Sequence, residues 1–139
     1  MERTPFDESS VIYSDIWTIM EFIEHQSKGE KVIEIISDEL INQSEQDALD
    51  IMANVGYLYD RRKIIVHKES FGEEFFDLST GQAGGILQKF SNYRVRLVVV
   101  GNFDEYGRKS LKEFILESNK GMQVNFVPDL SKAIANLNG

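Results

Sequence analysis

Between Phe75 and Phe90 the sequence reads FFDLSTGQAGGILQKF, which places chemically useful side chains and three glycines directly before an apolar stripe with helical spacing. Asp77 offers a carboxylate, and Ser79 and Thr80 offer hydroxyls. A hydroxyl at this place can cap the free amides of a helix, or it can accept a phosphoryl group, which adds about two negative charges. The stretch therefore predicts a helix over residues 80–92 with a candidate functional turn ahead of it.

The same turn also has an anion-binding interpretation, because exposed amides and the helix dipole attract anions. The hydroxyl of Thr80 and the amides around Gly81 and Gln82 would then be the donors. The dedicated nucleotide patterns are absent, since GQAGG matches neither GxxxxGK[ST] nor GxGxxG. We further expect Gly84 and Gly85 to let the helix pack closely against a sheet.

His67 belongs to two groups of residues that could form a catalytic site or a metal site. Ser79, His67 and Asp77 have the residue types of a hydrolase triad, but the GxSxG elbow is absent. A metal site could draw on His67 and on the carboxylates that follow it: Glu69, Glu73, Glu74 and Asp77. One histidine without cysteine is a poor start for a zinc site. We therefore predict no catalytic residues, no metal and no cofactor.

Three phenylalanines, Phe71, Phe75 and Phe76, cluster just before the predicted helix. They form either a plug in the core or an exposed anchor for a partner protein. Burial in the core is the interpretation that we favour, because phenylalanine is among the residues most often buried.

The charge balance argues against a nucleic-acid or membrane partner. Arg94 and Arg96 beside Phe90 and Tyr93 could stack on RNA bases, but the two aromatics continue the helical stripe and are better explained as core. The chain has 15 basic and 23 acidic residues, a net charge of -8, and so lacks the basic footprint of such binders. We expect protein partners instead.

The bulk composition indicates one globular domain. The chain has 139 residues, 42% of them apolar, and no cysteine, which excludes disulfides and thiolate chemistry. We find neither a secretory signal pattern nor an apolar run long enough to span a membrane, and therefore expect a cytoplasmic protein. Residues 1–16 are interpreted as an N-terminal arm, disordered or in contact with a second copy, and residues 17–139 as the domain.

The first elements of that domain are predicted to be a β-hairpin. TIMEFIEHQ and KVIEIIS are rich in β-forming residues, and Gly29 between them suits a tight reversal. A helix over residues 14–26 is the alternative. Four apolar residues match that helical spacing: Ile16, Ile19, Met20 and Ile23.

The remaining elements alternate between helices and strands. They are a helix over 44–59 capped by Ser44 and Asp47, a strand near 63–69, the helix 80–92, a buried strand at Leu97–Val100, a helix over 109–119, a strand ended by Pro128, and a short final helix capped by Ser131. The order ββαβαβαβα predicts an α/β fold with a mixed, mainly parallel sheet of about five strands.

This order, with a Ser/Thr-Gly turn opening the second main helix, resembles the STAS domain of bacterial anti-sigma-factor antagonists. In that group the first hydroxyl of an Asp-Ser-Ser/Thr-Gly pattern is phosphorylated by a partner kinase. The resemblance implies a STAS-like sandwich with Ser79 as the phosphoacceptor, although Leu78 stands where the family has its aspartate and Asp77 lies one residue earlier.

A closer resemblance is to a bacterial family of small stand-alone proteins described as domain of unknown function 4180. Its hallmark reads here as SEQDALD, FFDLSTGQAGGILQKFSNYRVRLVVVGNF, SLKEFILESNKG and VNFVPDL, within about residues 31–137. This family brings no established activity. We therefore expect a non-enzymatic interaction module, with Ser79 or Thr80 as phosphoacceptor and the turn from Asp77 to Gln82 as contact surface. The alternative is a small-molecule or anion-binding protein that uses Thr80 and Gly81, and a homodimer fits either.

Overall fold

A computed structural model describes residues 10–14, 19–27, 30–37, 44–59, 63–71, 73–104 and 108–138. The turn predicted at Gly29 and most of the predicted N-terminal arm lie outside these ranges. Within them, six strands form one sheet in which they follow the order of the chain. They are β1 (Ser10–Ser14), β2 (Ile19–Ser27), β3 (Glu30–Ser37), β4 (Lys63–His67), β5 (Arg96–Val100) and β6 (Val124–Val127).

The sheet has an antiparallel half and a parallel half. Strands β1, β2 and β3 pair in antiparallel fashion, and β3 to β6 pair in parallel. The predicted hairpin is confirmed, and the alternative helix over residues 14–26 is wrong. Residues 20–27 pair with β3 as a strand, and among residues 21–26 the buried side chain is Phe22, which is absent from the helical stripe.

The strand β1 was not predicted and gives the sheet one strand more than the five expected. The observed order is βββαβαβαβα. The segment SVIYS is five residues long and has no clear periodicity, so the sequence alone contains little evidence for it. Its pairing with β2 places part of the predicted N-terminal arm in the sheet.

Four helices complete the described fold: α1 (Glu45–Tyr59), α2 (Gln82–Asn92), α3 (Lys109–Asn119) and α4 (Leu130–Asn138). The predicted bounds are confirmed to within two residues. The hydroxyl of Ser44 accepts the amide of Asp47 at 3.1 Å, as predicted for the start of α1. The predicted cap of α4 is wrong, because Asp129 accepts the amide of Lys132 at 2.9 Å and the hydroxyl of Ser131 only donates to that carboxylate.

The helices cover both faces of the sheet. Helices α1, α2 and α3 pack on one face, where Ile33, Ile64 and Leu97 are fully buried. Helix α4 packs on the other face, over Val32, Ile65 and Val98. Successive strand residues point to opposite faces, so β4 and β5, which are covered on both, carry uninterrupted apolar runs. Burial of Leu97–Val100 on both faces is therefore confirmed.

The three phenylalanines before α2 lie in the core, as favoured. Phe71, Phe75 and Phe76 are all buried, with ring centroids of Phe71 and Phe75 4.1 Å apart and those of Phe75 and Phe76 5.0 Å apart. Each buried ring contributes roughly 1.5–3 kcal/mol by removal from water. The cluster fixes the connection between β4 and α2 to the core, and it therefore positions the candidate turn that follows.

The aromatic and basic residues at the end of α2 differ in burial and in their contacts. Phe90 is buried, as predicted, but Tyr93 is 55% exposed, so its assignment to the core is wrong. Tyr93 stands one residue beyond the last helical residue, Asn92, so the helical stripe that predicted its burial has already ended. Arg96 donates to Asn136 of α4 at 2.7 Å and thus helps to hold that helix on the sheet.

The outer edge of β6 is covered by side chains from the end of α3. Asn119 accepts the amide of Phe126 at 2.8 Å and donates to its carbonyl at 3.2 Å, and Ser118 donates to the carbonyl of Val124. An edge strand normally presents such backbone groups to any strand that approaches. Two side chains of α3 satisfy them here.

Asn119→Ala should lower the free energy of unfolding by about 1–3 kcal/mol, because it leaves the backbone groups of buried Phe126 without partners. Asn92→Ala is the matched control, since Asn92 is also the last residue of a helix but accepts only from exposed Gln88. Its effect should stay within about 0.5 kcal/mol. Urea unfolding followed by circular dichroism measures both, and equal effects would contradict the proposed role of Asn119.

Candidate functional site

The candidate turn is a short 3-10 segment, Leu78–Thr80, that leads into α2. One carboxylate oxygen of Asp77 accepts both the amide of Ser79 at 3.1 Å and the hydroxyl of Ser79 at 2.7 Å. The side chain of Ser79 is exposed, and the carboxylate of Asp77 is its hydrogen-bond partner within the described residues. Asp77 therefore caps the turn and holds the serine hydroxyl at the surface.

The hydroxyl of Thr80 makes more hydrogen bonds to the backbone than that of Ser79. Its hydroxyl lies 3.1 Å from the carbonyl of Glu74 and 3.0 Å from that of Asp77, and it accepts the amide of Gln82 at 3.1 Å. These contacts tie the start of α2 to the preceding turn. A modification of Thr80 would remove the hydroxyl proton that bonds to these two carbonyls, so the geometry favours Ser79 over Thr80 as a chemically available hydroxyl.

The glycines of the turn have three different environments. Gly81 has a φ of +78°, a left-handed conformation that side chains disfavour. Gly84 faces open space, and a Cβ on Gly85 would clash with the carboxylate of Glu45 from α1. The prediction that both glycines allow close packing on the sheet is therefore wrong. It is the Glu45 side chain that lies over Gly85, where it also pairs with Lys89 at 3.6 Å.

Charge around the turn is balanced by one nearby arginine. Arg108 lies 3.9 Å from the carboxylate of Asp77 and donates to the carbonyl of Phe76 at 3.4 Å. The hydroxyl of Ser79, then its amide, and to a smaller extent the charge of Arg108 hold the pKa of Asp77 below its usual range. Asp77 is thus ionised at neutral pH with a cation beside it.

The Asp-Leu-Ser sequence of this turn occurs a second time, at the start of α4. The hydroxyl of Ser131 donates to Asp129 at 2.8 Å, just as that of Ser79 donates to Asp77. Both serines are exposed. The arrangement is therefore a local way to begin a helical segment, and what distinguishes the turn at Ser79 is its setting beside Arg108 and α2.

The structure does not assemble the hydrolase triad or the metal set considered from the sequence. Within the described residues no hydrogen bond joins His67 to Ser79 or Asp77, and Ser79 bonds to Asp77 instead. No group of three or more histidine, aspartate or glutamate side chains among those residues has an arrangement that could hold a metal ion. His67 points to a different partner, on the sheet.

That partner is Glu34, a carboxylate buried on the sheet and shared by both histidines of the chain. His67 Nε2 lies 2.6 Å from one carboxylate oxygen and His25 Nε2 lies 2.7 Å from the other. The Glu34 side chain is only 5% exposed, whereas those of His25 and His67 are 24% and 29% exposed. Each Nε2 must carry a proton to donate to an ionised carboxylate.

The electrostatics of Glu34 follow from these contacts. Burial by itself raises the pKa of the carboxyl, but the hydrogen bonds from His67 and His25, together with their charges, outweigh it. The pKa of Glu34 consequently lies below its usual value. The cluster holds an ionised carboxylate inside the fold.

Sequence reasoning considered His67 but missed His25 and Glu34. The signal was present, since KVIEIIS places one carboxylate in the middle of an otherwise apolar strand, and buried charges require partners. The partners lie 9 and 33 residues away along the chain. They could be found only from the register of three strands.

A groove of about 400 Å³ lies where β5 and β6 end. Its walls include Phe103, Leu116 and Phe126, and Lys112 lies at its border. Leu116 is 65% exposed. Grooves at the carboxyl ends of parallel strands are frequent ligand sites in α/β proteins.

The family model described as Domain of unknown function (DUF4180) matches residues 27–137. The chain belongs to this family. The match covers β3 through α4, including the turn at Ser79 and both Glu34 and His67. No curated protein and no solved structure shows significant similarity to the chain. None of the helices in the described ranges has the length and apolarity that a membrane crossing requires.

Gly81→Ala and Gly84→Ala should change stability in opposite directions. Alanine at position 81 must adopt the left-handed conformation, which should lower the free energy of unfolding by about 1–2 kcal/mol. Alanine at position 84 lies inside a helix and its methyl group meets open space, so it should raise the free energy of unfolding by about 0.5–1 kcal/mol. Thermal unfolding of the two variants measures the difference, and a stabilised Gly81→Ala protein would show that the turn relaxes.

Glu34→Gln should change the acid dependence of stability. The folded pKa of Glu34 is depressed, so its contribution is complete above the unfolded value of about 4.3 and is lost as pH falls through the folded pKa. The advantage of the wild type over Glu34→Gln at pH 6 should therefore shrink toward pH 3. Urea unfolding at several pH values tests this, and a constant difference would contradict it.

Proposed function

We propose that this protein is a non-enzymatic regulatory module that binds other proteins, and that phosphorylation of Ser79 switches the binding. The observation that carries the proposal is the exposed Ser79 hydroxyl, which Asp77 holds at the surface beside Arg108. The partners on this proposal are cytoplasmic proteins, with a second copy of the chain among them. No catalytic residue is assigned.

A phosphoryl group on Ser79 would change the charges around the turn. It adds about two negative charges and removes the hydroxyl proton that Asp77 accepts. Asp77 and the phosphate then repel each other, and the Arg108 guanidinium, 3.9 Å from Asp77, is the nearby cation that can bind the phosphate instead. The preceding phenylalanines are buried, so the change stays at the surface and alters what a partner meets.

The fold and the turn support a relation to STAS-type antagonists. A hairpin is followed by alternating helices and parallel strands, and a Ser-Thr-Gly turn precedes the second helix, as the resemblance implies. Asp77 lies one residue earlier than the aspartate of that pattern, yet its carboxylate still reaches the hydroxyl of Ser79. The departure at Leu78 therefore leaves the Asp–Ser contact intact.

The test uses wild type, Ser79→Glu and Ser79→Ala as parallel baits in native-host lysate, read by mass spectrometry. We expect a protein partner held by wild type and Ser79→Ala that is reduced at least about tenfold with Ser79→Glu, since a charge at a contact typically changes affinity by 1.4 kcal/mol or more. Ser131→Glu is the matched control, because it places the same charge in the other Asp-Leu-Ser turn.

The outcomes separate the switch from the interaction. A partner lost equally with Ser79→Glu and Ser131→Glu reports total charge rather than the turn, which contradicts the switch. If a partner is retained on all baits, the result contradicts the phosphorylation switch and supports the interaction module. Intact-mass analysis of the protein purified from its host shows directly whether Ser79 is phosphorylated.

Small-molecule binding is the second candidate. The anion site expected at Thr80 and Gly81 is disfavoured by the bonds that the Thr80 hydroxyl already makes and by the Glu45 carboxylate over the first turn of α2. The groove at the ends of β5 and β6 suits a small apolar ligand better. A metabolite screen by thermal shift tests it, since a ligand at 100 times its Kd stabilises by about 2.7 kcal/mol.

A further inference from the structure

The two halves of the sheet are joined by a short backbone ladder. Strand β3 pairs with β4 through two residue pairs, Ile33 with Ile64 and Glu34 with Ile65. By comparison, β2 and β3 share eight pairs, β4 and β5 share five, and β5 and β6 share four. The junction between the antiparallel and parallel halves is therefore the shortest ladder of the described sheet.

The Glu34 cluster crosses this junction. Glu34 belongs to the ladder itself, His25 lies on β2 in the antiparallel half, and His67 ends β4 in the parallel half. The carboxylate bonds diagonally to side chains two residues away along each neighbouring strand. Two charge-assisted hydrogen bonds thus span the shortest ladder of the described sheet.

Other charged groups lie on the same face of the sheet as the carboxylate. Strand alternation places Glu21, Lys63 and Arg96 on the same face of the sheet as Glu34. Lys63 donates to the carbonyl of Leu137 at 2.9 Å, and Arg96 donates to Asn136, so both cations are held by α4. Helix α4 itself covers this face with apolar side chains, among them Ala133 and Leu137.

We propose that His25, Glu34 and His67 form a charge-dependent lock that fastens the antiparallel half of the sheet to the parallel half. With Glu34 ionised, both imidazoles donate to it and the lock is closed. Loss of the charge on Glu34 weakens both hydrogen bonds that hold the two rings together, because a neutral carboxyl is a poorer acceptor than a carboxylate. Strands β2 and β3 open locally before the rest of the fold unfolds.

Hydrogen exchange at pH 7, read by peptide, tests the lock with Glu34→Gln in the full chain. The variant keeps the shape of the side chain and removes its charge. We expect protection of residues 19–37 to fall about tenfold, while protection of β5 and β6 stays unchanged. Glu24→Gln is the matched control, because Glu24 lies on the same hairpin, faces the other side of the sheet and pairs with Lys31 at 3.7 Å.

The proposal is overturned if Glu34→Gln lowers protection equally in β2–β3 and β5–β6, which is global destabilisation, or if Glu24→Gln has the same regional effect. Glu34→Ala, which provides no bridge between the rings, is measured in parallel. Unchanged protection of residues 19–37 in Glu34→Gln overturns the dependence on charge even if Glu34→Ala loses protection, and unchanged protection in both variants overturns the lock altogether. Wild-type protein taken to pH 3 should show the same regional loss.

Discussion

Two backbone pairs between β3 and β4 connect a hairpin-based sheet to a parallel one, and the rest of the structure is organised around that constraint. The connection is reinforced on both faces by different means. On one face Phe22, Ile33 and Ile35 pack beneath α1 to α3, and the contribution is hydrophobic and insensitive to charge. On the other face the same strand offers a buried carboxylate that bonds to a histidine on each neighbouring strand.

The candidate turn differs from this junction, which joins distant parts of the sequence. It is built from local contacts, since every hydrogen bond of Asp77, Ser79 and Thr80 described above spans six residues or fewer. Beneath it, buried phenylalanines fix the chain, so the turn can change its surface charge without disturbing the core.

The contrast between local and long-range contacts explains which features could be predicted from the sequence. Helix bounds, the hairpin and the burial of Phe71, Phe75 and Phe76 follow from periodicity and residue type, and they were predicted. The capping role of Asp77 was also accessible, because its partner is two residues away. The pairing of Glu34 with His25 and His67 depends on strand register, and the contact of Glu45 with Gly85 depends on the packing of two helices. The carboxylate of Glu34 stands out within an apolar strand, but neither pairing can be read from a local pattern.

The cover that α3 provides for β6 determines how the sheet can grow. Asn119 and Ser118 occupy the outward backbone groups of that strand, so a further strand cannot add there. Among the described strands, β1 at the opposite end has a neighbour on one side only. Any strand that approaches the β6 edge would therefore have to displace two side chains of a helix terminus.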